Sequence, residues 1–100
     1  MTAISPVRPI TCAILPGGFR RGGSLPSGVP VPQAVPKLTC VGAHRAVAVL
    51  WTSVAPSQYE QELSSTGWHA SGSTYTKAHV PRTITVLSIR SALVAIYRPS

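Results

Sequence analysis

Few side chains in this 100-residue chain could do covalent or metal chemistry: Cys12 and Cys40, His44, His69 and His79, and two glutamates, Glu60 and Glu62, with no Asp and no Asn at all. Cys40 and His44 stand four apart, so on a helix they would share a face and offer a metal two ligands. Structural zinc takes four ligands in tightly spaced pairs such as Cys-x2-Cys, and no such pair occurs here. Cys40 with His44 or His79 has the chemistry of a thiolate and its base. The group that orients the base would then have to be Glu60, Glu62 or a Gln. Glu60 is accounted for at a helix start, and on a helix Glu60 and Glu62 point to nearly opposite sides, unlike the facing carboxylates of a glycosidase. With so few carboxylates, most divalent-metal chemistry also loses its oxygen ligands. Neither a phosphate-cradling glycine loop nor a Gly-x-Ser-x-Gly elbow occurs. The sequence predicts no enzyme, with no catalytic residue, no cofactor and no metal. Cys12 and Cys40 have one further use, a disulfide closing a long loop; two free thiols in a reducing compartment are the alternative.

Charge is the next signal. Nine Lys and Arg stand against two Glu, a net charge of +7, and residues 1 to 59 contain no acid. Such a balance attracts polyanions, whether nucleic acid or anionic lipid. Gly17-Gly18-Phe19-Arg20-Arg21-Gly22-Gly23 resembles one copy of an RGG-type RNA-binding segment. The resemblance implies that Arg20 and Arg21 reach phosphates and stack on bases while Phe19 offers a stacking ring. Lys37 and Arg45 extend the same acid-free half. RGG-type segments repeat their unit and this chain has one, so a basic turn between irregular pieces accounts for the same residues. Charged residues make up only 11% of the chain, against a usual share of about 25%. A surface of Ser, Thr, Pro and Gly must replace them, and that favours association. A GC-rich reading frame would give the same composition and predicts no selected function. Neither long apolar segment reaches the roughly 20 residues of a membrane span, and the run at 10–15 is too short for a secretory leader.

The elements that must position these residues divide into two. Residues 1–36 hold seven of the ten prolines and five of the eight glycines, which predicts an irregular, extended, partly disordered arm. Pro6-Val7-Arg8-Pro9 has the spacing that SH3-type grooves accept, and also that of a stiff linker. Residues 37–98 are the expected folded unit. The apolar run 46–51 reads as a strand buried on both faces, with helix competing because alanine is frequent. Ser57-Gln58-Tyr59-Glu60 has capping-box spacing, which predicts a helix over 57–65 with Tyr59 and Leu63 on one face and Gly67 as its stop. Residues 73–80 alternate as a strand ended by Pro81. Residues 83–97 read as a strand bulged near Val86-Leu87, against a competing helical spacing. The expected fold class is a small mainly-β or α+β unit with one short helix, preceded by a long Pro/Gly-rich arm.

A unit of that size is marginally stable, and docking would supply the missing burial. Val47, Val49, Trp51, Trp68, Tyr75, Ile84, Val86 and Tyr97 are the expected core or interface anchors. The function expected is that of a non-enzymatic structural or interaction protein, ordered as a subunit among other subunits or copies of itself. A basic nucleic-acid binder using Phe19, Arg20, Arg21, Lys37 and Arg45 is the alternative.

Overall fold

The computed structural model describes residues 11–15 and 18–99. The PxxP stretch and Pro16-Gly17 lie outside the described residues. The described chain builds one antiparallel sheet of seven strands and one α-helix. In chain order the strands are β1 (Arg20–Arg21), β2 (Leu38–Val41), β3 (Val47–Trp51), β4 (His69–Ser71), β5 (Thr74–Thr76), β6 (Arg82–Ile89) and β7 (Ala92–Pro99), with α1 (Pro56–Ser65) between β3 and β4. Across the sheet the order is β1-β2-β3-β7-β6-β5-β4.

The continuous apolar runs follow from that order. β3 and β7 sit at the centre and pair with each other from Val47↔Tyr97 to Trp51↔Leu93. Alternate residues point to opposite faces, and both faces carry a core. On the first face Val49, Trp51, Leu93, Ala95, Tyr97, Ile84, Val86 and Tyr75 meet Tyr59 and Leu63 of α1 and Trp68. On the second, Ala48, Leu50, Val94, Ile96 and Cys40 meet Cys12, Leu15 and Phe19. Toward the β4 edge the second face turns to hydroxyls, with Thr74 and Thr85 3.3 Å apart, so that part needs no cover.

Three expectations are corrected. Residues 83–97 are not one bulged strand but most of a hairpin, β6 and β7, paired from Arg82↔Pro99 to Ile89↔Ala92. The turn between them is Arg90-Ser91, both at positive φ (52° and 65°). That two-residue geometry is usually filled by Asn-Gly, so the sequence carries no mark of it. Of residues 73–80 only β5 is strand, ending at Thr76 rather than at Pro81; it pairs with β4 in a hairpin about Gly72, whose φ is +63°. Finally, the capping box is not formed. α1 starts at Pro56 with Ala55 as its N-cap and no side-chain cap bond. Proline suits the first helical position because its missing N–H has no partner there in any case. Ser57 is therefore already inside the helix.

The helix stops where expected. Gly67 lies at φ +93°, a conformation open to glycine and strained for other residues. The Thr66 hydroxyl donates to the carbonyls of Glu62 and Leu63, and Lys77 Nζ donates to the Thr66 carbonyl at 2.7 Å. A cation there also complements the negative end of the helix dipole.

Candidate functional site

Among the described residues, the basic residues of the first half lie about the β1–β2 edge. Arg20 and Arg21 form β1, opposite Val41 and Cys40. Both are exposed, as are Lys37 and Arg45. The Lys37 amide donates to the Leu50 carbonyl at 2.7 Å, which anchors its backbone beside β3. Arg21 and Lys37 border one cleft of about 250 Å³ floored by Gly22, Gly23 and Thr39. Arg45 sits with His44 at the tip of the β2–β3 turn, both at positive φ (61° and 57°). The only carboxylate side chains, Glu60 and Glu62, lie on α1.

Phe19 does not join this surface. Its ring is buried in the second core. A Cβ built on Gly42 would stand 2.8 Å from its Cε1, so only a glycine lets the β2–β3 turn pass this close to the ring. Phe19 is a packing residue, and the expected stacking ring is not offered to a ligand in this conformation.

The eight apolar anchors also come together, inside the chain. Val49, Trp51, Trp68, Tyr75, Ile84, Val86 and Tyr97 are buried in the first core, and Val47 packs partly buried against it. Their partners are α1 and a strap of the Pro-rich segment. Val29, Val31 and Ala34 rest on the core, and Trp51 Nε1 donates to the Ala34 carbonyl at 3.2 Å.

A second tether had no signal in the sequence. The Tyr59 hydroxyl donates to the Pro30 carbonyl and stands 2.8 Å from the Tyr97 hydroxyl. Because a phenol carries one proton, Tyr97 is the donor to Tyr59. Burial pushes the Tyr59 phenol up to about 12, an effect partly offset by the Tyr97 hydrogen bond and reinforced by Glu62. Burial, together with Tyr59 and Glu62, raises Tyr97 further still.

Two results are expected from this pair. Tyr59→Phe strands both the Tyr97 proton and the Pro30 carbonyl and should destabilise by about 1–3 kcal/mol, whereas Tyr97→Phe leaves the Tyr59 donor bond intact and should cost less. In alkali, both folded phenols titrate above their unfolded value of 10.0, so their contribution is complete below that pH; the Tyr59 part is lost as pH rises through about 12 and the Tyr97 part at higher pH still. The Tyr59 contribution alone is roughly 2 to 3 kcal/mol. Phenolate absorbance from these two residues should therefore appear together with loss of the far-ultraviolet circular dichroism. Phenolate appearing well before unfolding would contradict the burial.

The remaining reactive side chains are separated. Cys12 and Cys40 are joined by a disulfide, so Cys40 acts neither as a nucleophile nor as a ligand beside His44. His44, His69 and His79 are exposed at three separate places, the β2–β3 turn, β4 and the turn between β5 and β6. Among the described residues no three His, Cys or Glu side chains converge on one point, and no helix is long and apolar enough to cross a membrane. Compared with protein-family models, with curated proteins and with solved structures, the chain matches none.

Proposed function

We propose that this protein is a non-enzymatic interaction module, working as a subunit of a larger assembly and recognising its partner through charge. The observation that carries the reading is charge segregation: Arg20, Arg21, Lys37 and Arg45 are exposed about the β1–β2 edge, while both carboxylates sit on α1. The large apolar anchors are enclosed by the chain's own helix and strap. A partner would therefore meet a finished polar surface of low charge density, with four of its cations about one edge. Such a surface steers association and makes it depend on salt.

Light scattering on the eluting protein, at low and at high salt, tests this. A mass above that of one chain at low salt, falling as salt is added, is expected from contact between the basic edge of one copy and the acidic helix of another. A monomer at every salt concentration, even when concentrated, would count against self-assembly. Binding of nucleic acid is the second reading. The cleft shared by Arg21 and Lys37 favours it, because paired cations with no acid beside them suit a phosphate.

A further inference from the structure

We propose that one end of the sheet is a phosphate-backbone site for nucleic acid that reads no bases, built from Arg20, Arg45, Arg82 and Arg98. This rests on the nucleic-acid reading and extends it to Arg98 on β7 and Arg82 on β6. Strand register supplies the geometry. Arg20 pairs with Val41, Val41 with Val47, Val47 with Tyr97 and Tyr97 with Ile84. Those pairs make one transverse row across five strands. Arg45 lies two residues before Val47, Arg98 one after Tyr97 and Arg82 two before Ile84. In an antiparallel sheet all three steps leave the row toward the same end. Arg20, on the row itself, completes the set. Arg20, Arg45 and Arg98 are exposed and Arg82 is half-buried.

Neighbouring strands are about 4.8 Å apart, so four gaps spread these arginines over about 19 Å along a twisted rim. One strand of a duplex carries about five or six phosphates over that length. The two carboxylates lie on α1, not among these arginines, and Glu62 acts on Tyr97 of the row from the helix side of the sheet. Partner class follows from what is missing at the surface as well as from what is present. All six aromatic side chains, Phe19, Trp51, Tyr59, Trp68, Tyr75 and Tyr97, are buried. Single-strand binders gain affinity and preference from rings stacked on bases, and here no ring is offered. Cations alone bind phosphates without regard to sequence.

The test is anisotropy of labelled oligonucleotides titrated with the full chain over a range of salt. Four phosphate contacts on a duplex predict a slope of log K against log salt of about −3.6, or a loss of about 150-fold between roughly 50 and 200 mM. Arg82→Gln with Arg98→Gln should halve that slope for any sequence while leaving the thermal midpoint unchanged. If instead Arg21→Gln with Lys37→Gln abolishes binding and the rim pair does not change it, the rim site is overturned and the nucleic-acid reading survives at the cleft. No binding by the unaltered protein at low salt would overturn both. A strong preference for one sequence or for single strands would overturn the base-blind site, and equal affinity for polyglutamate would overturn the choice of partner.

Discussion

Replacing Cys12 and Cys40 together by alanine is expected to lower the unfolding free energy by roughly 3 to 4 kcal/mol. The two positions are 28 apart in sequence, and a cross-link closing a loop of that length removes much of the freedom of the denatured chain. The folded side adds a local reason. Cys12 lies in a short turn, Cys12–Ile14, that together with Leu15 and Phe19 covers Ala48, Leu50, Val94 and Ile96 on the second face. Cys40 on β2 is 1% exposed and Cys12 6%. The bond therefore holds a cover in place and also restrains the chain. A chain this size has total stability of about 5–15 kcal/mol, so the variant should fold but melt roughly 15 to 25 °C lower. Thermal unfolding with and without a dithiol reductant, compared with the double variant, measures this. Alkylation in denaturant should label no thiol until the protein is reduced. Immediate labelling of two thiols, or equal melting with and without reductant, would remove the staple from the account.

How much of this was legible depends on whether a feature is local. At β3 the apolar run reads as a strand buried on both faces, with helix competing because alanine is frequent; pairing with β2 on one side and β7 on the other decides for the strand. Helix α1 was legible in extent, from the Tyr59/Leu63 spacing and the Gly67 stop, but not in its start. Ser57 and Glu60 imitate a capping box, whereas Pro56 one residue earlier sets the first turn. The β6–β7 hairpin was hidden because Arg90-Ser91 adopts positive φ without a glycine. A fifteen-residue apolar stretch then reads as one element, although the chain reverses in its middle.

The site was legible in its charges and not in its contacts. Arg20, Arg21, Lys37 and Arg45 could be grouped by their acid-free setting. Arg82 and Arg98 could not join them without the register that carries both to the same end of the sheet. Phe19 shows the opposite failure. Beside two arginines and four glycines it reads as a stacking ring, but the space under Gly42 takes it into the core. The Tyr59–Pro30 and Tyr59–Tyr97 bonds span 29 and 38 residues, and no local pattern announces contacts of that range. They also change the meaning of the arm. Val29, Val31 and Ala34 use the stiffness of neighbouring prolines to lie as a strap on the first core, with little further backbone freedom to lose.

Trp51 is where strap, helix and sheet meet, and Trp51→Ala is expected to be among the most damaging single changes, at about 3–5 kcal/mol. Its side chain is fully buried. The ring lies against Tyr59 of α1 with centroids 6.3 Å apart and planes at 45°. Its backbone pairs with Leu93 of β7, and its Nε1 holds the Ala34 carbonyl. Truncation would leave a cavity bounded by all three elements, none of which can move in without breaking strand pairing or the helix contact. Trp51→Phe separates the two roles. It keeps most of the volume and the ring contact but frees the strap carbonyl, at about 1–3 kcal/mol. Limited proteolysis within residues 29–34 should then quicken while the amides of β3 and β7 stay protected from exchange. If Trp51→Ala changed the urea midpoint no more than Trp51→Phe does, the strap bond alone would account for the residue, and the packing of Trp51 between α1 and the sheet would not be what holds this face together.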